Sequence, residues 1–208
     1  MKEAEPKVAP SVLRTVLERW VGPTIAGLLI VTIEVVQIVV IAAAIIIPVR
    51  YFLVQPFYVR GASMEPTFVD REYLLIDEIS YRFHDPKRGD VVVFRYPKDP
   101  SEFFIKRVIG MPGDTVDIRS DQIIITNDEH PEGVIISEPY IDEFVHTGLN
   151  THATLNPNEY FLLGDNRDAS LDSRNFGPVQ EKFFVGKVWV RGWPLYRFST
   201  FDPPLYNL

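Results

Sequence analysis

Apolar positions fall into two regimes along the chain. Between residues 24 and 57 they run almost unbroken. Residues 38–49 carry no charged or hydrogen-bonding side chain, and from Val35 to Val54 only Gln37, Pro48 and Arg50 interrupt. About twenty residues of helix span about 30 Å, the thickness of a bilayer's hydrocarbon layer. The pattern predicts a transmembrane helix over 34–54, with Glu34 at one headgroup layer and Arg50 snorkelling at the other. The alternative frame, 24–47, ends at Pro48 but places Glu34 mid-membrane at a cost of roughly 2.5–3.5 kcal/mol, so the later frame is preferred. A cleavable leader fits less well. The segment before the run is too long for a charged n-region, and Ala42-Ala43-Ala44 leads into more isoleucine instead of a polar start.

After residue 55 the pattern changes to short β-type runs at 57–59, 73–76, 91–94, 103–109, 115–118, 123–125, 160–163 and 187–190. Gly, Pro, Asp and Asn clusters such as Lys87-Arg88-Gly89-Asp90 and Met111-Pro112-Gly113-Asp114 separate them. Long amphipathic helices are missing, which argues against alternating βαβ units. The expected fold class is mainly β, an antiparallel core preceded by one N-terminal transmembrane helix. The more polar stretch 119–156 is expected to leave the main sheet as a small inserted β region. The domain plan is therefore 1–33, 34–54 and 55–208.

Charge sets the orientation. Lys2, Lys7, Arg14 and Arg19 precede the apolar run, whereas few basic residues follow it closely beyond Arg50, so the N-terminal segment is expected in the cytoplasm and everything from Gln55 on the far side of the membrane. Overall the 208 residues hold 28 acidic and 21 basic side chains, a formal charge of -7, which makes nucleic acid an unlikely partner. With no cysteine, thiolate metal sites and cysteine nucleophiles are excluded. The four histidines, His84, His130, His146 and His152, all lie in polar, turn-like text and suggest neither a triad nor zinc. Neither a metal nor a cofactor is expected.

Three clusters carry candidate chemistry. Ser63 stands in Gly61-Ala62-Ser63-Met64-Glu65-Pro66-Thr67, where small residues and a proline-directed turn would hold a hydroxyl at an exposed corner. Lys106 stands in an apolar strand, with Phe104 and Val108 expected on its face. Ordinary roles exist for both, a structural turn serine and a snorkelling edge lysine. The third cluster, 164–177, has the alternating carboxylates of a calcium loop, but Arg167 and Arg174 intrude and a closing Glu is missing. Carboxylate–guanidinium pairs that brace a loop fit better. Together Ser63 and Lys106 suggest a nucleophile and a general base. A free lysine, with pKa near 10.4, is useless as a base at neutral pH. Apolar burial without a facing carboxylate could lower it to about 7–8.

Four ordered boxes resemble type I signal peptidases, membrane-bound Ser/Lys endopeptidases. They are Ser63-Met64-Glu65-Pro66-Thr67, Arg88-Gly89-Asp90-Val91-Val92-Val93-Phe94, Lys106 through Asp114, and Gly164-Asp165-Asn166-Arg167-Asp168 with Ser170, Asp172-Ser173-Arg174 and Gly177. The resemblance implies that Ser63 attacks the scissile carbonyl while Lys106 takes its proton, that Ser170 orients the lysine, and that Asp172 and Arg174 support the site. Phe57, Val59, Met64 and Ile105 would line small apolar pockets for the Ala-X-Ala-like end of a signal peptide, which adds as a β-strand. Gly61 departs from members with a hydroxyl two positions before the nucleophile, and Ala169 from those with Asn. Partners would be signal-peptide-bearing preproteins and the lipid bilayer of the plasma membrane; for the aromatics Phe57, Tyr58, Phe68, Trp193 and Tyr196 two readings stand equally, contact with the membrane surface and scattered core. The main alternative is a membrane-tethered, non-enzymatic β module that binds an exported partner. A second enzyme reading is a related self-cleaving Ser/Lys protease of the repressor-processing type, which would want a soluble N-terminal DNA-binding helix-turn-helix where this chain offers a membrane anchor.

Overall fold

The structure is a computed structural model that describes residues 19–20, 22–48, 54–141, 145–204 and 206–207. It divides into two compact units, 1–50 and 51–208. The first contains helix α1, Pro23–Pro48. Pro23 suits a first helical position, because its missing N–H would have had no partner there. Mean hydropathy reaches 2.8, and α1 is long and apolar enough to cross a membrane. Its bounds follow the earlier of the two frames, with Glu34 in mid-helix, and not the 34–54 expected from hydropathy. A helix through 54 would have to pass Pro48, which lacks a donor and crowds the preceding turn, and Val54 already belongs to a strand. Residues 1–18, with Lys2, Lys7 and Arg14, and residues 49–53, with Arg50, lie outside the described residues.

Among the described residues the second unit is built from twelve strands. These are β1 Val54–Tyr58, β2 Tyr73–Asp77, β3 Val91–Tyr96, β4 Asp99–Gly110, β5 Thr115–Arg119, β6 Gln122–Thr126, β7 Val134–Ile135, β8 Thr151–Thr154, β9 Glu159–Leu163, β10 Val179–Gln180, β11 Phe184–Trp193 and β12 Ser199–Thr200. One sheet runs β1-β2-β11-β3-β4-β9-β10 with β12 beside β11, and a smaller one runs β7-β6-β5-β8. Neighbours throughout are antiparallel. The mainly β, antiparallel expectation thus holds. The smaller sheet begins at Thr115 rather than 119, because the chain leaves the main sheet at the Met111–Asp114 turn. Asp114 closes that turn by accepting from Met111 N at 2.7 Å and from Arg88 Nη2 at 2.9 Å. Ser120 and Asp121 both take positive φ, giving β5 and β6 the two-residue hairpin turn that matches strand twist.

Alternation along the central strands feeds both faces of the main sheet. Val91 and Val93 of β3 pack with Val59, Met64, Phe68, Leu74, Ile76 and Val188, while Val92 and Phe94 pack with Val108, Tyr160, Leu162 and Val179 on the other face. A third cluster, around Ile109, Val116, Ile118, Ile125 and Leu163, joins the main sheet to the small one. Burial on both faces is why β3 reads as an unbroken apolar run. Of the two readings for Phe68, the core one holds, since its side chain is fully buried here.

Candidate active site

Between β1 and β2 the chain makes a compact loop. Its neck is closed by Val59 N donating to the Glu72 carbonyl at 2.9 Å and Arg71 N donating to the Val59 carbonyl at 3.0 Å. Met64 and Phe68 turn inward and are 1% and 0% exposed, anchoring the loop from beneath. Each such side chain contributes about 1.5–3 kcal/mol on burial. Ser63 lies on the loop's outer side. Polar ties complete the grip. Asn166 N donates to the Ser63 carbonyl at 3.1 Å, Thr67 Oγ1 to Asp165 Oδ2 at 2.6 Å, and Arg191 Nη2 to the Thr67 carbonyl. Glu72, buried at the loop's exit, accepts ion pairs from Arg191 Nε and Arg197 Nη1, both at 3.0 Å. Gly61 takes φ +87° and its N–H donates to Asp70 Oδ1 at 2.8 Å. The left-handed backbone favours glycine there over a hydroxyl-bearing residue.

Lys106 comes from β4, opposite Val92 of β3. It is 3% exposed and its amine stands 5.5 Å from the centre of the Phe104 ring. Nζ donates to Ser63 Oγ at 2.8 Å and to the Ile105 carbonyl at 2.8 Å. Burial pushes the amine down from 10.5 to about 8, against the smaller opposing pull of Asp172 and Asp165. The two carboxylates pull weakly because each has its own counter-ion. Asp165 is held by Arg107 through Nε at 2.9 Å and Nη2 at 2.6 Å, and Asp172 by Arg174 through Nε and Nη2, both at 2.8 Å. A lysine with free carboxylates beside it would stay charged at neutral pH.

Asp172 also caps the one-turn helix α2, Ser173–Phe176, in a reciprocal capping box with Asn175, and accepts from Gly164 N at 3.1 Å. Arg174 extends the brace to the carbonyls of Thr147 and Arg167. Asp172 and Arg174 therefore fix the backbone that passes Ser63 and do not touch the amine. Ser170 lies against Gly164, where any Cβ would collide with its hydroxyl. That hydroxyl is buried and makes no hydrogen bond among the described residues. The expected lysine-orienting bond is thus not made in this structure. The Ile105 carbonyl, as second acceptor, fixes the amine instead.

A cleft of about 580 Å³ opens beside the pair, lined by Phe57, Val59, Leu74, Val93, Phe103 and Ile105 as well as Ser63 and Lys106. Of the four residues expected to line pockets, Phe57, Val59 and Ile105 do so. Met64 does not, because the turn after Ser63 sends it into the core. The cleft lies between two open strand edges. Among the described residues β1 pairs only with β2, and residues 99–106 of β4 pair only with β3. Among the described residues no group of three or more His, Cys, Asp or Glu could hold a metal ion. Of the three carboxylates of 164–177 that resembled calcium ligands, Asp165 and Asp172 are occupied by arginines, and two histidines form exposed pairs, His146 with Asp121 and His152 with Asp117.

Residues 32–193 match the family described as signal peptidase, peptidase S26. The chain belongs to that family. Signal peptidase IB of Staphylococcus aureus is 33% identical over 177 residues, covering 79% of this chain and 92% of its own. Signal peptidase I of Leptolyngbya laminosa is 32% identical over 178 residues, 82% of this chain and 84% of its own. A crystal structure of a signal peptidase I from Enterococcus faecalis V583, 30% identical, aligns with a TM-score of 0.42 over 50% of this chain and 97% of that one. As a signal peptidase of this family the chain is a serine peptidase, a hydrolase.

In this S26 peptidase, sequence reasoning missed a set of supporting residues: Thr67, Arg107, Asp165, Glu72 and Arg191. One signal was available. Arg107 stands in the same apolar strand as Lys106 and points to the opposite face, and a guanidinium buried there requires a carboxylate. Which carboxylate it meets, 58 positions away, emerges only from the pairing of β4 with β9.

Proposed function

We propose that this signal peptidase removes signal peptides from exported preproteins by a Ser63/Lys106 acyl-enzyme mechanism, cutting after small-X-small sequences. The observation that carries the reading is the 2.8 Å contact between Ser63 Oγ and a lysine amine whose burial lowers its pKa to about 8. In the neutral state Nζ accepts the Ser63 proton as Oγ attacks the scissile carbonyl carbon. The tetrahedral intermediate collapses with cleavage of the C–N bond, and the ammonium returns its proton to the departing amine. The neutral amine then takes a proton from water, whose oxygen attacks the acyl ester. The C–O bond to Ser63 breaks and the serine regains a proton. The Ser63 N–H is assigned to the oxyanion, with no side-chain donor from Gly61.

The substrate enters as a strand between the open edges of β1 and β4, main chain to main chain, as in β-augmentation. Side chains two apart on that strand face the same way, toward Phe57, Val59 and Ile105. Bulky walls around a narrow apolar floor favour Ala-sized groups at those positions. Ser170 retains its assignment as a lysine-orienting residue, engaged once substrate fills the cleft, while Asp172 and Arg174 keep their supporting role. Helix α1 is assigned as the membrane anchor, with the N-terminus cytoplasmic and the catalytic unit extracytoplasmic. Exposed Trp189, Trp193, Tyr196 and Phe198 suit contact with the headgroup layer of a bilayer.

The test is incubation of the detergent-solubilised full chain with a reporter preprotein, followed by mass mapping of the new termini. The expected product starts directly after a small-X-small sequence and does not form with Ser63→Ala. Cleavage by Ser63→Ala at the parental rate, or cuts scattered after bulky residues, defeats the reading.

A further inference from the structure

The last residues of the chain pack against the back of the active site. Phe201 packs at a tilt against Phe68 of the Ser63 loop, 4.5 Å between ring centres, and the Arg191 guanidinium lies 4.9 Å from the Phe201 ring. Pro203, Pro204 and Tyr206 lie flat on Gly89, where a Cβ would meet them at 2.9–3.1 Å. Gly89 in turn receives Arg107 Nη1 on its carbonyl at 3.0 Å. Asn207 then pairs with the small sheet, donating to the Ile135 carbonyl at 2.9 Å and accepting from Ser137 N at 3.0 Å. Between these attachments Tyr206 and Tyr140 share a hydroxyl contact at 3.1 Å, and the Tyr140 ring lies 3.9 Å from the Arg107 guanidinium. The Tyr140 hydroxyl also donates to Glu138 at 2.5 Å, the carboxylate that pairs with Arg167. A cavity of about 200 Å³ remains under the segment, bordered by Thr67, Arg107, Tyr140 and Phe201.

We propose that the C-terminal residues Phe201, Pro203, Pro204, Tyr206 and Asn207 form a strap that acts through Tyr206 and Tyr140 to hold Arg107 on Asp165, and so keeps the Ser63 loop in register with Lys106. Tyr140 and Tyr206 are positioning residues, not catalytic ones, and the inference rests on the Ser63/Lys106 reading above. The path is short. Arg107 holds both oxygens of Asp165, Asp165 accepts from Thr67 of the Ser63 loop, and the next residue, Asn166, donates to the Ser63 carbonyl. The ring of Tyr140 covers one face of the planar guanidinium, whose carboxylate partner is Asp165.

The strap has an electrostatic consequence that simple bracing lacks. Lys106 is faced by Asp172 and Asp165 from the 164–177 loop. Arg174 closes Asp172 and Arg167 closes Glu138 without touching the tail, so Asp165 is the carboxylate whose counter-ion depends on the strap. When Arg107 loosens, the Asp165 charge acts on Lys106, the ammonium is favoured, and the amine must be freed at higher pH.

Tyr140→Leu, Tyr206→Leu, Asn207→Ala and the conservative Tyr206→Phe in the full chain, assayed on a reporter preprotein across pH beside thermal melts, test this. Expected for both leucine variants are a kcat lower by about tenfold to a hundredfold, an unchanged KM, and a rising pH limb displaced upward. Tyr206→Phe, which keeps the ring on Gly89 but removes the hydroxyl that meets Tyr140, recovers only part of both. Asn207→Ala, at an exposed tie, shows the same displacement in smaller degree even if a leucine variant fails to fold. Unmoved kcat and pH midpoint in the variants that fold, or lower activity that tracks the melting temperature with an unmoved midpoint, overturn the strap. Ser63→Ala run in parallel separates the two claims. Its continued cleavage defeats the dyad, whereas an inactive Ser63→Ala beside silent strap variants defeats the strap alone.

Discussion

Lys106→Met is expected to be inactive and yet to melt at a higher temperature than the parent at neutral pH. Loss of a general base costs about a hundredfold to ten-thousandfold in rate, and a base coupled to its nucleophile loses the whole function of the pair. Stability moves the other way. The amine's pKa falls from 10.5 free to about 8 folded, because burial disfavours the ammonium. That gap corresponds to roughly 3 kcal/mol held against the folded state wherever both states are protonated. The contribution of the neutral amine to stability is complete above the unfolded value and is lost as pH falls through about 8. Methionine fills similar space without a charge, so the variant gains up to about 3 kcal/mol, or roughly 6–12 °C in a unit of this size. The advantage narrows as pH rises from 8 toward 10.5. Thermal melts of parent and variant at several pH values check it. A variant that melts lower at every pH contradicts the buried-amine account.

Arg107→Met is expected to produce the largest loss of stability. Arg107 and Asp165 are 5% and 1% exposed and joined through both carboxylate oxygens. Removing the guanidinium leaves a buried carboxylate uncompensated, at about 3–5 kcal/mol. Activity falls with it, since the freed Asp165 charge favours the ammonium form of Lys106 and Thr67 loses an anchored acceptor. Removing both partners, Arg107→Met with Asp165→Leu, recovers most of the stability, because the penalty belongs to the unpaired charge and not to the absence of the pair. Denaturant unfolding of the two singles and the double is the check. Additive losses in the double mutant would show that the pair does not act as a unit.

These two arginine-paired carboxylates also mark the limit of what sequence alone conveys. The strands were legible because alternation and Gly/Pro/Asp punctuation are local signals, and β3 and β4 stand where the apolar runs are. Ser63 and Lys106 were legible as an exposed turn hydroxyl and an out-of-place strand amine. Met64 was misassigned to the cleft because a turn, unlike a strand, gives no periodicity from which to read the direction of a side chain. The bounds of α1 differ from the 34–54 frame because that frame keeps Glu34 out of mid-membrane and gives no weight to the backbone donor that Pro48 lacks. Ser170 makes no bond to Nζ in this structure, and the Ile105 carbonyl that does accept from Nζ is a backbone group invisible to any motif. The Thr67–Asp165–Arg107–Tyr140–Tyr206 chain depends on how β4, β9, the small sheet and the C-terminal segment come together, and no local pattern encodes that.

The central claim is that burial beside Ser63 lowers the Lys106 amine from 10.5 to about 8, so that it sheds its proton at mildly alkaline pH where an ordinary lysine stays charged. Direct titration of Lys106 by heteronuclear NMR in the lysine-labelled full chain, with Lys106→Met to assign its signal, tests this without reference to any substrate. The account predicts a midpoint of about 8. A midpoint at or above the 10.5 of an ordinary lysine would contradict it.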